Sequence, residues 1–263
     1  MPRADRHPDH DRLVSEVPSW YTVSAPRAGH PAERRRYGFY GRAGGAGVNR
    51  VTVAGLAAAE AGVFVRDLRE YFGGAPVRIV VDDLGVDREI GAALLDAGCT
   101  ANHSLVYLAH VGAVPAPPAV PDLRVEPVTE ETLREFVTVR IKGFADSERE
   151  PPALQIEEET ARRRTALAAD SHLFIARIRG EAAGVVGWRA GRDRFIFQLA
   201  TRVPFRGRRI ATAVLCRILT DADAQGCASV VINTDPDGLA IHLYRRLGFV
   251  DEVCRQQRYT FNG

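Results

Sequence analysis

The run Val114-Pro115-Ala116-Pro117-Pro118-Ala119-Val120-Pro121 places four prolines in eight residues. Proline has no amide donor and a fixed φ, so neither a helix nor an inner strand can pass through such a run. The residue before each proline is also pushed toward extended geometry. The run is read as a linker, 114–121, which divides the 263 residues into parts of ordinary domain size, 1–113 and 122–263. With 46% hydrophobic and 26% charged residues, the chain has the composition of a globular protein and apolar material for a core in each part. No segment approaches the roughly 20 apolar residues of a membrane helix. Residues 1–12 are polar, lack a signal-type apolar run, and read as a frayed tail. Cys99, Cys216, Cys227 and Cys254 show no C-x-x-C spacing and read as reduced, mostly buried thiols, which makes the cytoplasm the expected location. A formal net charge of +2 calls for neither nucleic acid nor an anionic membrane as partner.

Hydrophobic periodicity organises the second part. A strand is predicted over 123–128, a helix over 129–142 opened by a Thr129 cap, and a second helix over 154–167. Strands at 172–177, 182–189 and 194–203, separated by glycine-bearing turns, predict an antiparallel meander. From Ala211 the period changes. Val214, Leu215, Ile218, Leu219 and Ala222 share one helical face, and Gly226 ends the run. Val230-Val231-Ile232 reads as a buried strand, Asp235-Pro236 as the start of a helix over 237–247 stopped by Gly248, and 253–261 as a last strand that returns to the sheet.

The chemistry concentrates between the third strand of the meander and the helix that follows it. There Phe205-Arg206-Gly207-Arg208-Arg209-Ile210-Ala211 leads into Thr212, where amides and the helix dipole can grip a diphosphate and arginines can add charge-assisted bonds. A solvated basic turn is the alternative. Downstream stands Leu243-Tyr244-Arg245-Arg246-Leu247-Gly248-Phe249.

This pair of motifs resembles the GNAT superfamily of acyl-CoA-dependent acyltransferases, whose donor loop reads Q/R-x-x-G-x-G/A and whose later helix ends in Tyr-x-x-x-Gly-Phe. The resemblance covers most of 121–261. It implies an α/β (α+β) fold of GNAT type, a mixed and mostly antiparallel sheet flanked by helices, with acetyl-CoA or another acyl-CoA as co-substrate and no metal. Arg206 takes the first loop position and Ala211 the last, whereas Arg209 stands where the family has its central glycine. The cofactor-binding set implied is Leu199, Ala200 and Thr201, on a strand that splays to expose its backbone, together with Arg206, Gly207, Arg208, Arg209, Ile210, Ala211 and Thr212. Asp237 joins it at a position often held by Asn; a plain helix-terminal acid is the other reading. Tyr244 is the implied catalytic acid, donating to the departing thiolate, and a core aromatic otherwise. No carboxylate marks the base: the strand before the loop offers Arg194, Phe195, Ile196, Phe197 and Gln198, and Asp193, Glu157, Glu158 and Glu159 are the nearest acids. The implied activity is transfer of an acetyl or short acyl group directly to an amine of a small molecule or peptide. A non-catalytic acyl-CoA-binding or regulatory protein is the alternative. Neither acceptor nor oligomeric state can be read from the residues.

The first part repeats the end of this pattern faintly: a helix over 65–71, a strand over 77–81, a helix over 87–97 and an extended stretch over 104–110. Arg42-Ala43-Gly44-Gly45-Ala46-Gly47 fits the donor-loop pattern in letters, but the strand-like 48–53 follows it where a phosphate loop needs a helix, so a hairpin turn is expected. Leu94 holds the place equivalent to Tyr244 and cannot donate a proton. The first part therefore reads as a degenerate GNAT-type domain, an arrangement in tandem that the superfamily contains. His103, His110, His172 and His242 read as structural, and Trp20 and Trp188 as core or acceptor-site aromatics.

Overall fold

The computed structural model describes residues 6–22, 32–42, 49–83, 88–167 and 171–263. The chain forms two compact units. One gathers residues 1–9, 108–233 and 239–251, and the other residues 10–107, 234–238 and 252–263.

In the unit built mainly from the second part, strand β6 (Leu123–Pro127) is followed by helices α4 (Leu133–Phe144) and α5 (Ala153–Leu167), the meander β7 (Ser171–Ile178), β8 (Glu181–Arg189) and β9 (Asp193–Thr201), helix α6 (Ile210–Ala224), β10 (Ser229–Thr234) and helix α7 (Ala240–Arg246). Strands β6 to β9 pair antiparallel in sequence order, and β10 adds parallel to β9. Side-chain alternation explains the layering. Leu173 and Ile175 of β7 and Val185 of β8 join Phe136 and Val137 of α4 in one core. Phe174 and Trp188, on the opposite face, meet Val214 and Ile218 of α6 instead. The predicted order of elements holds, with local corrections. Thr129 does not cap α4: its own N–H donates to Thr132 Oγ1 at 2.9 Å, and the helix starts after Thr132. The Asp235 carboxylate accepts the Asp237 N–H at 2.9 Å, which closes a turn, so α7 begins only at Ala240. Gly248 ends α7 with φ +90°, and a Cβ there would stand 2.9 Å from the Val111 carbonyl oxygen.

The other unit contains α1 (His10–Thr22), β1 (Ala32–Arg35), β2 (Gly38–Gly41), β3 (Asn49–Val53), α2 (Ala61–Phe72), β4 (Val77–Asp83), α3 (Arg88–Asp96) and most of β5 (Thr100–His110). β1, β2 and β3 pair antiparallel, and β3 runs parallel to β4. The strand β11 (Phe249–Phe261) departs from expectation: 255–261 pair antiparallel with 77–83 of β4, and Tyr259 and Phe261 enter the core built by Phe64, Leu68, Ile79 and Leu94. Their rings bury there because β4 offers an edge whose backbone groups need partners. The expected hairpin turn, 42–47, lies outside the described residues except for Arg42, and the strands on either side of it pair antiparallel from Gly41–Arg50 to Gly38–Val53. The expected tail is also structured in part: the His7 N–H donates to the buried Asp251 carboxylate at 2.9 Å, and α1 starts at His10. All four cysteines are free thiols, three of them buried.

Candidate active site

The site forms where β9 leaves its neighbour. β9 pairs with β10 only from Asp193–Ser229 to Ile196–Ile232, although β9 continues to Thr201 and β10 to Thr234. On its other side β9 stays paired with β8, Leu199 facing Val186, Ala200 facing Val185 and Thr201 facing Gly184. Along residues 197–201 one edge of β9 therefore carries backbone groups that the sheet does not use. The parting coincides with a β-bulge: Ile196 faces Trp188, but Gln198 faces Gly187, so Phe197 is an extra residue and bends the strand.

Beyond β9, a 3-10 turn over Val203–Phe205 brings the chain to α6. Gly207 and Arg209 both adopt the left-handed region, at φ +74° and +60°. The second value accounts for the glycine that the donor-loop pattern places at 209, since a Cβ in this region costs roughly 1 to 2 kcal/mol. Arg209 is the N-cap of α6 and supplies no side-chain cap, and the first helical bond runs from the Ala213 N–H to the Arg209 carbonyl. The four amides of 209–212 thus have no partner inside the helix, and they carry the positive end of its dipole.

These groups face one cavity of about 640 Å³. Residues 199–201, Arg206, Gly207, 209–212 and Tyr244 all line it. Two of the expected residues do not. The Arg208 guanidinium lies over the Phe205 ring, 5.2 Å from its centroid, and Asp237 sits in the 235–238 turn. Arg206 is committed elsewhere: it donates to the Thr201 carbonyl at 3.1 Å and the Gly143 carbonyl at 2.9 Å and pairs with Asp146, which ties the end of α4 to the end of β9. Arg209, exposed at the mouth, is the loop arginine that lines the cavity without such a tie.

Tyr244 is 5% exposed, with its ring edge-on to Phe249 at 6.2 Å. Burial pushes its phenol up to about 12. It therefore stays protonated at neutral pH and is available as a donor. Gly143, Phe144, Leu239 and Leu243 also line the cavity and were not anticipated. Gly143 had a signal only in three dimensions: a Cβ on it would lie 2.9 Å from the Ala200 Cβ, so α4 and β9 approach closely there.

The acids weighed as bases lie elsewhere. Asp193 accepts the Ser229 hydroxyl at 2.5 Å at the far end of β9, and Glu159 stands among Arg140, Arg162 and Arg163. Among the described residues the single carboxylate lining the cavity is Asp146, which Arg206 pairs. Trp188 stacks on Phe174 at 4.4 Å on the α6 side of the sheet, and the Trp20 side chain lies outside the described residues. His110 is buried, which lowers its pKa, and packs edge-on to Phe249. No group of acids, histidines and cysteines suited to a metal ion occurs among the described residues, and no helix among them is long and apolar enough to cross a membrane.

The free edge of β9, the open helix N-terminus and the buried phenol fit an extended ligand with an anionic end and a reacting group near Tyr244, and the cavity is within the size range of small-molecule sites. Fold and site together define the class of GNAT-type α/β proteins. The comparisons take this to the family: a family model described as Acetyltransferase (GNAT) family matches residues 134–249, and this part of the chain belongs to that family. Among solved structures the whole chain is similar to a GCN5-related N-acetyltransferase from Kribbella flavida, at 15% identity over 95% of this chain and 96% of that one, with a TM-score of 0.64. It is similar also to a functionally unknown conserved protein from Staphylococcus epidermidis, at 9% identity over 89% and 94% of the two chains, TM-score 0.66. A tandem GNAT protein from the clavulanic acid biosynthesis pathway matches at 13% identity over 95% of each chain, TM-score 0.60. At such identities the likeness is one of fold, and it extends to the tandem arrangement.

Proposed function

We propose that the chain is an N-acetyltransferase that moves an acetyl or other short acyl group from acyl-CoA directly to an amine of a small molecule or peptide. The observation that supports it is the meeting, in one cavity, of the unpaired edge of β9, the amides that open α6, and the phenol of Tyr244. Backbone groups of 197–201 hold the amide-bearing arm of the acyl-CoA as another strand would, and the amides of 209–212 hold its diphosphate, assisted by the Arg209 guanidinium. A backbone N–H near Ala200 or Thr201 stabilises the oxyanion. The amine nitrogen bonds to the thioester carbonyl carbon and gives up a proton to water, since Asp146 is engaged. The carbon–sulfur bond breaks, and Tyr244 donates to the sulfur as it leaves.

The domain assignment is part of the same proposal: 122–263 carry the transfer, and 1–113 are a copy that has lost it. Leu94 supports this, because it is fully buried in the core where the second part has its tyrosine. The strained Arg209 and the lack of an unpaired carboxylate among the described residues that line the cavity favour a second reading, a protein that binds acyl-CoA without turnover. Calorimetric titration with acetyl-CoA, followed by thiol release across an amine library, tests both. Saturable binding with turnover that Tyr244→Phe lowers at least about 10-fold supports the enzyme, binding without any turnover supports the second reading, and no saturable heat defeats both.

A further inference from the structure

The inward face of α5 is not apolar. Ile156, Glu159, Thr160 and Arg163 recur at three- and four-residue spacing, so they share one side of the helix. Ile156 is 4% exposed, and the side chains of Glu159 and Arg163 are 15% and 21% exposed. Arg140 of α4 joins them, and so does Gln198 of β9, 6% exposed, whose Oε1 accepts the Arg140 Nε–H at 3.0 Å.

The cluster carries more positive than negative charge, and several of its buried polar atoms lack hydrogen-bond partners. Arg140 and Arg163 share Glu159 Oε2, at 3.6 and 3.5 Å, distances at which a hydrogen bond is already weak. Arg162 is half exposed and divides itself between Glu158 and Glu159. Two enclosed guanidinium groups thus face one carboxylate, an excess of one positive charge. The donors Arg163 Nε and Gln198 Nε2 are buried without a hydrogen-bond partner, as are the acceptors Glu159 Oε2 and Thr160 Oγ1, so the ion pairs to Glu159 satisfy the charge of the cluster only in part. Such groups are expensive to bury unsatisfied. Burial, with Arg140 beside it, holds the Arg163 guanidinium down to about 10, which an added anion would reverse.

The cluster lies behind the residues that line the cavity without lining it itself. Gln198 precedes Leu199 on the free edge of β9, and the Arg140 guanidinium lies 5.2 Å from the centroid of Phe144, which lines the cavity beside Gly143. We propose that the acceptor amine carries a carboxylate, and that Arg140, Arg163 and the Gln198 amide form the subsite that holds it. A carboxylate supplies the missing charge and two acceptor oxygens in the planar geometry that guanidinium groups match. The substrate class is then amino acids or peptides presenting a free carboxylate near the reacting amine.

This inference rests on the acyl transfer reading, and the test separates the two. Acetyl-CoA binding is measured first by calorimetry; its absence defeats the acyl transfer reading. With binding present, thiol release is followed over the common amino acids and their matched carboxamides. The acids are expected to exceed their amides in kcat/KM by about 10- to 100-fold, the size of losing a hydrogen bond to a charged partner. Arg163→Met and Arg140→Met collapse that preference, while Arg163→Lys, which keeps the charge, restores part of it. Circular dichroism and melting curves confirm that the variants fold. Equal turnover of acids and amides, a preference that survives both methionine variants, or no turnover of any acid with acetyl-CoA bound overturns the proposal.

Discussion

Replacing Tyr244 with phenylalanine isolates one atom. The ring is buried against Phe249 and lines the cavity, so the variant keeps its packing and loses only the hydroxyl. The size of the effect follows from the environment. Burial places the phenol at about 12, whereas a free thiol ionises near about 8.5, so complete proton transfer to the departing thiolate runs uphill by roughly 5 kcal/mol. Tyr244 therefore contributes as a hydrogen-bond donor to a sulfur that is gaining charge. A bond of that kind is worth about 1.5 to 3 kcal/mol, or roughly a 10- to 150-fold loss of kcat. KM for acetyl-CoA should change little, because the bond strengthens only as the thioester breaks. The same placement fixes a pH signature. The donating form persists until pH approaches 12, so kcat should rise with amine deprotonation and show no descending limb from Tyr244 below about pH 11. Steady-state kinetics of both proteins between pH 6 and 10 provide the check, with the upper limit set by stability. A change of kcat under twofold, or a loss confined to KM, would refute the role assigned to the phenol.

Arg209→Gly relieves a left-handed Cβ at φ +60° and should leave stability unchanged or raise it by up to about 1 kcal/mol in urea titrations, with part of the strain relief offset by the freedom glycine gains when unfolded; if the guanidinium meets the diphosphate, the same variant binds acetyl-CoA several-fold more weakly and with less salt dependence. Gly98→Ala and Gly248→Ala separate strain from collision. Both glycines sit near φ +90°, but a Cβ at 98 meets nothing within 4 Å while one at 248 stands 2.9 Å from His110 Nε2, so melting should show about 1 kcal/mol lost at 98 and at least about twice that at 248. Tyr40→Phe removes a 2.6 Å bond to Asp67 and should cost about 1 to 3 kcal/mol at pH 7. Burial and the Asp67 carboxylate raise the Tyr40 pKa above its ordinary value, so this stabilisation is complete below about pH 10, where an unfolded tyrosine ionises, and is lost as pH rises further. The melting temperature of the parent protein should then fall more steeply than that of Tyr40→Phe above pH 10, and parallel curves would contradict the assignment.

Whatever depended on local pattern was legible in the residues. The apolar face of Val214, Leu215, Ile218 and Leu219 announces α6, and the glycine that ends α7 is the one whose φ requires it. Tyr244 and the 206–212 turn were singled out because their motifs resemble those of a known family, and all of them except Arg208 line one cavity. What escaped was set by partners far along the chain. Nothing within 253–261 says that its rings belong with Phe64 and Leu68 rather than with elements nearer in sequence, and the arginine-rich β1 has no alternation to betray a strand. Gly143 and Phe144 reach the cavity only because α4 crosses β9 there. Asp237 was misleading for a local reason, since Asp235 claims its amide and delays the helix by a turn.

The bulge at Phe197 is another feature that neither periodicity nor motif could reveal, and it accounts for more than the opening of the strand. Before it, Arg194 bonds to the Ile218 carbonyl of α6 and Ile196 faces Trp188, so even-numbered residues of β9 look toward α6. In a regular strand Gln198 and Ala200 would follow them. The inserted residue reverses the alternation, and Gln198 comes opposite Gly187, on the face that carries Leu173, Val185 and α4, where it meets Arg140. Ala200 reaches the same face, and its small side chain is what lets Gly143 approach. A single extra residue thus frees a backbone edge along 197–201 and turns a buried amide toward the arginines of α4 and α5. If acyl donor and acceptor carboxylate bind as proposed, both subsites take their placement from that one irregularity in β9, and the geometry between them is fixed by the sheet rather than by a loop.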